Sequence, residues 1–450
     1  MKTHVNNPLN SGCTVIFILL LSCLSFSCSN EDIQENLSGK EAKEITLKMS
    51  VDEANAIKIK KTGSFTIPES EAIEMVRQRY MKDALTKSGN NSIIKSCKKV
   101  SLPTMQTKSS TDEVPGYYVV EFITEGKEGF SMVSADRRIE EVFAFSEYGS
   151  LNDTAYNEGL KMFCEGLPYY IKDKIESFNT DSLYNAVSER LASTKSGWID
   201  DGPIHYLYMQ QGFLPDPDYE YMGEETIGDA GTEYGTILTT QWKQTSPYNN
   251  KLPYVSATQK AYAGCTLIAL VQIMGHYKIG YKNITTADWK RFTQTSQCYE
   301  EKLQDCIKSI FDEIQNKDVD ANGTGISHKS ANQFLNNNGY QTSYYSSYKP
   351  EQMVLPVMVS GYNPDSDHTW IIDCRRRSSY KTYDKYEKDD GYDIWRIYVE
   401  KREESGPLSV HCNWGWGGFS DGWYTSGSFY SYNTFDYRNN LEMTNIKPKN

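Results

Sequence analysis

The chain has 450 residues, of which 38% are hydrophobic and 24% charged, a globular composition whose length predicts two or three domains. Its net charge of −12 argues against nucleic-acid binding, which normally requires a basic surface. The ten cysteines include no CxxC pair and no His/Cys spacing typical of zinc sites, so we predict no metal and no cofactor.

The N-terminus has the features of an export signal. Residues 14–26 form an apolar run that is short for a membrane span, and the chain turns polar directly after Cys28. This pattern resembles a bacterial lipoprotein signal, with residues 1–27 as the signal peptide and Cys28 as the lipidated residue. Cys23 is a second candidate for lipidation, and a plain secretory signal is the alternative. We expect an outer-membrane or cell-surface protein, or one released after processing.

Two polar segments flank the first folded region. Residues 28–64 are polar and rich in lysine, and we predict that they form a tether. Residues 196–233 mix proline and glycine with acidic residues, which is typical of a protease-accessible connector between domains. Residues 65–195 between them are therefore predicted to form a domain of their own.

The pattern within this first domain predicts an α+β fold. A helix is expected to begin at Pro68, and residues of about 154–193 are expected to be helical. Between them, short runs separated by turn residues predict three antiparallel strands, at 117–122, 130–134 and 141–145. Because no nucleophile with a base beside it occurs in this half, we predict a structural or regulatory role.

The second half, residues 234–450, contains a cysteine placed for nucleophilic chemistry. Cys265 follows Gly264 and precedes a helical pattern whose apolar face is formed by Leu267, Leu270, Val271 and Met274. A helix N-terminus directs backbone amides and the positive end of its dipole at the first residue, which lowers the pKa of a thiol. An inert core cysteine is the competing interpretation.

A cysteine nucleophile needs a base to accept its proton. Three of the six histidines lie in the leader, in the connector and at the far end of the cysteine helix, too far from Cys265 to serve. The remaining candidates are His328, His368 and His411. His368 lies where a polar loop enters an apolar strand. This is the usual position of the base in papain-like thiol proteases, in which the cysteine precedes the histidine along the chain.

Two further segments supply groups that such a reaction needs. The stretch from His411 to Gly422 is rich in tryptophan and glycine, and predicts a strand and a loop whose indoles cover a histidine or line a peptide subsite. Upstream, Gln244 offers a side-chain amide for an oxyanion hole, beside the backbone N–H of Cys265.

These motifs together resemble the streptopain family of secreted bacterial cysteine peptidases. The resemblance is carried by Gln-x-x-Pro-Tyr-Asn at Gln244–Asn249, by Gly264-Cys265 and its helix, by His368 before its strand, and by the stretch from His411 to Gly422. It covers about residues 234–450. The strands of the first domain resemble the inhibitory propeptide of the same family.

The resemblance implies a papain-like α+β fold, in which a helical part carrying Cys265 faces a twisted antiparallel sheet carrying His368, preceded by a smaller α+β propeptide domain. It implies Cys265 as the nucleophile, His368 as the base and then the acid, and Gln244 as an oxyanion donor. Either Asn413 or Trp414 would orient the imidazole. Three more residues are expected to line the substrate cleft: Gly264, Asp367 and Trp416.

Two features depart from the family pattern. Asp367 occupies the position before the base, where glycine is usual, and would stabilise the imidazolium or narrow the cleft. Residues 375–404 are longer and more charged than expected, and predict a solvated hairpin insertion. Residues 318–323 mimic the start of a calcium loop, but Lys329 stands where a bidentate glutamate is required, so we interpret them as a turn.

We therefore predict an exported cysteine endopeptidase made as a zymogen. Its expected partners are protein or peptide substrates and its own propeptide as an intramolecular inhibitor, with membrane contact through the lipid only and no nucleic acid. Two alternatives stay open. One is a catalytically silent surface protein that uses the peptidase fold for binding or inhibition, and the other is an enzyme that transfers the acyl group to an amine.

Overall fold

The computed structural model describes residues 42–81, 92–102, 116–155, 157–193, 220–320, 323–363, 366–389, 394–403, 406–429 and 440–449. The predicted signal peptide, the lipidation candidates Cys23 and Cys28 and the first part of the predicted tether lie outside these ranges. All described residues belong to one compact unit, Ala42–Asn450. Within these ranges, no helix combines the length and the apolar character that a membrane span requires.

The described part of the first half is a mixed α+β region. Its elements in chain order are β1 (Ala42–Ser50), α1 (Val51–Thr62), α2 (Glu69–Val76, continued by a π-helical turn at Arg77–Met81), β2 (Ile93–Val100), β3 (Tyr117–Thr124), β4 (Lys127–Ser134), β5 (Val142–Ser146), α3 (Glu158–Ser177) and α4 (Thr180–Ser193), with 3₁₀ turns at Arg137–Ile139 and Leu151–Ala155.

The described part of the second half begins with a long strand and then alternates helices and strands. Its elements are β6 (Glu220–Gly235), α5 (Cys265–Tyr277), α6 (Thr286–Phe292), α7 (Glu301–Glu313), β7 (Lys317–Val319), β8 (Thr324–Ile326), α8 (His328–Asn337), β9 (Tyr340–Tyr345), β10 (Val357–Asn363), β11 (Ser366–Asp389), β12 (Ile394–Glu403), β13 (Leu408–Asn413), β14 (Gly422–Thr425) and β15 (Asn440–Pro448), with 3₁₀ turns at Pro350–Gln352 and Ser426–Phe429.

The structure confirms the α+β class and the three strands predicted in the first domain. Strands β3, β4 and β5 pair antiparallel in chain order, and β2 adds to the outer edge of β3. Helix α2 covers one face of these strands, and its Val76 packs in a core with Val120 and Phe122. Burial of these apolar side chains holds the helix on the sheet.

Residues 42–62 correct the predicted tether, because they form β1 and α1 instead. The helix begins with a capping box, in which the Ser50 hydroxyl accepts the Glu53 amide and the Glu53 carboxylate accepts the Ser50 amide. Several small and branched side chains of α1 are buried: Ala54, Ala56, Ile57 and Ile59. The prediction failed because β1 pairs in parallel with β12, a partner that local composition does not encode.

The sheet of the second half has the strand order β9-β15-β10-β11-β13-β14, with antiparallel neighbours. Helix α5 packs against this sheet and is buried from Thr266 to Gly275. The Thr266 hydroxyl ties the start of the helix to two neighbours, since it bonds to the Ile326 carbonyl and lies 3.0 Å from the Thr369 hydroxyl. The first turn of α5 is thereby fixed beside β11.

The sheets of the two halves are continuous. Strand β14 pairs with β5, with Trp423 opposite Phe145 and Tyr424 opposite Ala144. Helix α3 crosses from the first half to the second, because its Leu160 and Phe163 share a core with Trp370 of β11. The first domain is therefore held on the second by strand pairing and by a common apolar core.

The charged segment 375–404 forms the predicted hairpin, since residues 380–389 of β11 pair with residues 394–403 of β12. The predicted connector 196–233 needs a correction. Its residues 220–233 belong to β6, which pairs antiparallel with β11, whereas residues 196–219 lie outside the described ranges. The acidic, glycine-rich composition did not predict a strand, because β6 depends on the exposed edge of a strand far ahead in the chain.

Candidate active site

Cys265 is the first residue of α5, and Gly264 caps the helix with a φ of 84°. A Cβ atom on Gly264 would lie 2.2 Å from the Thr324 carbonyl oxygen, so no other residue fits without a backbone shift. The next residue, Thr266, places its hydroxyl 3.0 Å from that of Thr369 on β11, and the backbone amide of Thr369 lowers the pKa of the Cys265 thiol. The thiol is therefore held between the helix N-terminus and the strand that carries His368.

His368 is buried, with 3% of its surface exposed. Its Nε2 donates to the Trp414 carbonyl oxygen, 2.8 Å away. Trp370 of the same strand and Trp416 of the loop after β13 lie nearly parallel to the imidazole, with ring centroids 6.2 Å and 6.3 Å from it. The predicted base is thus fixed in orientation by one hydrogen bond and by aromatic packing.

The first domain reaches this histidine directly through the N-terminus of α3. The Nδ1 atom of His368 lies 3.8 Å from the Glu158 carboxylate. At the next residue, a Cβ atom added to Gly159 would lie 2.5 Å from the Trp414 ring and 2.9 Å from Cδ2 of His368. Glu158 thus places a carboxylate near the predicted base, and Gly159 places a backbone without a side chain against it.

The sequence left Asn413 and Trp414 as alternatives for orienting the base, and the structure shows that the two residues have different partners. The Asn413 side chain donates to the Thr240 carbonyl at 2.7 Å and accepts from Gln272 and from the Gly415 amide. It therefore organises the loop around β13, while the Trp414 carbonyl is the group bonded to His368.

The remaining predicted site residues lie beside Cys265 or His368. Gln244 is buried, and its backbone carbonyl accepts the backbone amide of Ala263 at 2.8 Å, two residues before Cys265. Asp367 is exposed next to the base, and Trp416 packs on the imidazole. Their parts in oxyanion stabilisation and substrate binding stay predictions.

The sequence predicted a lowered pKa for the Cys265 thiol. The structure, in which the inhibitor-type domain lies against the site, shows the opposite direction. Burial raises the pKa of Cys265 and outweighs the amide of Thr369, while the carboxylates of Asp367 and Glu158 raise it further. Burial also lowers the pKa of His368, despite the nearby carboxylates. Burial therefore favours the uncharged form of both groups in this structure.

The other two eligible histidines are engaged elsewhere. Nδ1 of His411 lies 2.7 Å from the Asp373 carboxylate, and its ring packs edge-on against Trp423. His328 is buried with its two ring nitrogens against the hydroxyls of Ser360 and Thr444.

The calcium-like stretch is part of a short hairpin, as β7 pairs with β8 on either side of it. The Asp320 side chain accepts the Gly323 amide at 3.0 Å, a local turn contact, and residues 321–322 lie outside the described ranges. Among the residues that the structure describes, no group of three or more His, Cys, Asp or Glu side chains is arranged to hold a metal ion.

Sequence reasoning missed Glu158, Thr369 and Asp421. Glu158 acts across domains, so no local pattern marks it. Thr369 contributes through its backbone amide, which every residue except proline possesses. Asp421 stands in the Ser-Asp-Gly end of the tryptophan and glycine stretch, and its carboxylate accepts the Trp414 amide at 2.8 Å. An aspartate before glycine at the end of a loop was the available signal.

Residues 65–171 match the family model of the Spi protease inhibitor, and residues 242–320 and 326–424 match that of the peptidase C10 family. No curated protein matches the chain. Among solved structures, a fragment of prointerpain A from Prevotella intermedia is similar, with 17% identity and a TM-score of 0.41 over 78% of this chain and 98% of that one. The two family matches agree with the order of the domains, and the chain belongs to the peptidase C10 or streptopain family, with an inhibitor-type domain ahead of its peptidase domain.

Proposed function

We propose that the protein is a cysteine endopeptidase made as an exported zymogen, with Cys265 as the nucleophile and His368 as the base. The observation that carries this proposal is the 3.0 Å contact between the hydroxyls of Thr266 and Thr369. Because Thr266 directly follows Cys265 and Thr369 directly follows His368, this contact keeps the thiol and the imidazole on adjoining elements. Acyl transfer requires a cysteine nucleophile with a correctly oriented base beside it.

The contacts of α3 support a latent form. The helix directs Glu158 at Nδ1 of His368, and its Gly159 packs against the Trp414 ring. Departure of this helix would remove the Glu158 carboxylate and admit water to the cleft. Hydration lowers the pKa of the thiol and raises that of the imidazole, so the proton could then pass from Cys265 to the freed His368.

In the active form, the Cys265 thiolate attacks the carbonyl carbon of the scissile peptide, and a carbon–sulfur bond forms. The backbone N–H of Cys265 and the side chain of Gln244 would stabilise the oxyanion. His368 then protonates the leaving amine as the carbon–nitrogen bond breaks. Water, deprotonated by His368, hydrolyses the thioester and restores the thiol. The Trp414 carbonyl keeps Nε2 protonated and directs Nδ1 to the reacting atoms.

Cleavage between the inhibitor-type domain and the peptidase domain would activate the zymogen. The leader supports export, with Cys28 as the proposed lipidation site and the outer membrane or cell surface as the destination. Substitution of Cys28 by alanine should abolish incorporation of a labelled fatty acid, whereas Cys23→Ala should leave it intact. The reverse result would move the lipid to Cys23, and absence of label from the wild-type chain would favour a plain secretory signal.

The central test compares the wild-type chain with Cys265→Ala, using Cys298→Ala as a control for loss of a buried thiol elsewhere in the peptidase domain. After incubation with a reducing agent, N-terminal sequencing reports processing, and unfolded casein reports peptide hydrolysis. We expect both activities in the wild-type and control chains, neither in Cys265→Ala, and a block by a thiol-directed epoxide. Identical behaviour of Cys265→Ala and wild type would refute the proposal.

A further inference from the structure

The loop that follows β13 is closed by hydrogen bonds between its two ends. The Asp421 carboxylate accepts the Trp414 amide at 2.8 Å, and the Trp414 indole donates to the Ser420 carbonyl at 2.9 Å. Between these ends the chain passes through left-handed conformations at Gly415, Gly417 and Gly418, and again at Ser420. The Asp421 bond fixes the first residue of this loop from the loop's far end.

The same first residue holds the base. The carbonyl of Trp414 accepts Nε2 of His368 at 2.8 Å, while the amide of Trp414 donates to Asp421. Rotation or shift of Trp414 would therefore move the acceptor of His368. Burial raises the pKa of the Asp421 carboxyl group to about 7, but the oxygen that faces the Trp414 amide is an acceptor in both protonation states, so Asp421 restricts Trp414 through the geometry of this bond.

Asp421 is itself supported by the strands beneath it. The neighbouring β13 carries His411, whose Nδ1 lies 2.7 Å from Asp373 of β11. The second oxygen of Asp373 accepts the Leu238 amide at 2.8 Å. Trp423, two residues after Asp421, packs edge-on against His411, with 5.5 Å between the two ring centroids. These contacts anchor the segment from which Asp421 projects.

We propose that Asp421 is a positioning residue for His368, acting through the Trp414 backbone. The proposal rests on the proposed function, because it assumes that His368 is the base. Asp421 does not touch the thiol or the substrate position. Its effect is to hold the carbonyl that directs the imidazole, so its loss lowers the fraction of enzyme in which the base is aligned.

Before cleavage, the inhibitor-type domain also helps to hold this loop in place. The Ser146 hydroxyl donates to the backbone carbonyl of Asp421 at 2.8 Å, and the Ser420 hydroxyl donates to the Asp153 carboxylate at 2.7 Å. The Ser420 amide donates to the Tyr148 carbonyl at 2.6 Å. These bonds disappear when the domain leaves, after which the Asp421 carboxylate carries more of the restraint. The effect of losing Asp421 is therefore largest in the processed enzyme.

The experiment compares Asp421→Ala and Asp421→Asn in the full-length chain, processed and then titrated for active sites with a thiol-directed epoxide. We expect Asp421→Ala to lower kcat about tenfold or more with KM changed less than about threefold. Asparagine keeps an oxygen acceptor of the same shape, so Asp421→Asn should recover kcat to within about threefold of wild type. A general loss of stability would explain neither a fall in kcat at nearly constant KM nor the recovery of kcat in Asp421→Asn.

Asn445→Ala is the matched control. Asn445 is buried, and its side chain also holds a backbone segment, by accepting the Val354 amide at 3.0 Å and donating to the Gln352 carbonyl at 2.8 Å. We expect it to lower the unfolding temperature while kcat per titrated site stays at the wild-type value. An equal fall of kcat in this control would overturn the positioning role.

Hydrogen exchange of the Trp414 amide in the processed wild-type enzyme provides a second measurement, which is independent of whether Asp421→Ala folds. A protected amide supports the proposal, and exchange at the rate of an open loop overturns it. Wild-type kcat in Asp421→Ala also overturns it, with the proposed function left standing. A wild-type chain that neither cleaves peptides nor reacts with the epoxide refutes the proposed function itself.

Discussion

The imidazole of His368 faces the Glu158 carboxylate, with 3.8 Å between Nδ1 and the nearer oxygen. The side chain predicted to act on the Cys265 thiol is thereby directed at an acid from the inhibitor-type domain. Gly159 brings the helix backbone against the Trp414 ring in the same place. Latency is therefore expected to depend on contacts around the base, and the variants below alter those contacts singly.

Glu158→Gln should shorten the lag before self-processing. The substitution keeps the shape of the side chain but removes the charge that faces Nδ1 of His368, so the base is held less firmly by the inhibitor-type domain. Because Glu158 is partly exposed, we expect only about a twofold to fivefold effect. Glu165→Gln, one to two turns later on the same helix and paired with Lys161 at 3.8 Å, is the control. Equal lag times in wild type and Glu158→Gln would exclude this electrostatic contribution.

Asp153→Ala should weaken the attachment of the inhibitor-type domain to the loop at Ser420. The substitution removes a buried, charge-assisted hydrogen bond of 2.7 Å from the Ser420 hydroxyl. Such a bond contributes on the order of 1.5–3 kcal/mol, so we expect processing to be about tenfold faster. The rate is read by electrophoresis of samples taken over time. Asn152→Ala, at an exposed neighbour, is the control.

The processed peptidase from Asp153→Ala should be as active as that from the wild-type chain, because Asp153 precedes the connector where cleavage is proposed. A slower processed enzyme would mean that Asp153 serves the peptidase domain after cleavage. Unchanged processing of the zymogen would mean that the Ser420 contact does not maintain latency.

Gly264→Ala should abolish activity and destabilise the peptidase domain by more than about 2 kcal/mol. The residue has a φ of 84°, and the added methyl group would lie 2.2 Å from the Thr324 carbonyl oxygen. Gly323→Ala is a matched control, because a Cβ atom there meets nothing within 4 Å and the backbone is not left-handed. Urea unfolding and epoxide labelling of Cys265 measure the two effects. Normal labelling in Gly264→Ala would contradict the close approach.

His328 should make the fold less stable in acid. Burial lowers its pKa from 6.5 to about 4, so between these values the unfolded chain binds a proton that the folded chain does not. Its contribution is therefore lost as the pH falls from 6.5 to 4, on the order of 3 kcal/mol in total. Urea unfolding at several pH values should show a shallower acid slope for His328→Gln than for wild type. Equal slopes would contradict the burial of a neutral ring.

Local patterns predicted the elements that depend on neighbours in the chain. The three strands of the first domain, the helix that begins at Cys265 and the hairpin in residues 375–404 were all predicted, because turn residues and hydrophobic periodicity mark them. The tether and the connector were mispredicted where β1 and β6 form. Both strands are stabilised by pairing with the long hairpin, which lies elsewhere in the sequence.

The electrostatic state of Cys265 could not be predicted from its position on a helix. The helix N-terminus favours a thiolate, but burial and two carboxylates outweigh it in the closed form. One of those carboxylates, Glu158, belongs to the other domain. The sign of the shift therefore depended on packing, which the local sequence does not specify.

The sequence by itself determined the chemical inventory of this protein: a cysteine at a helix start, a histidine at a strand start, and the order in which they follow an inhibitor-type domain. Only the tertiary structure decided that the Trp414 carbonyl holds His368 while the Asn413 side chain points to Thr240, and that Glu158 faces the base. The physical reason is that composition and periodicity report local conformation, whereas these contacts join residues that are distant in the chain and depend on the direction of single side chains.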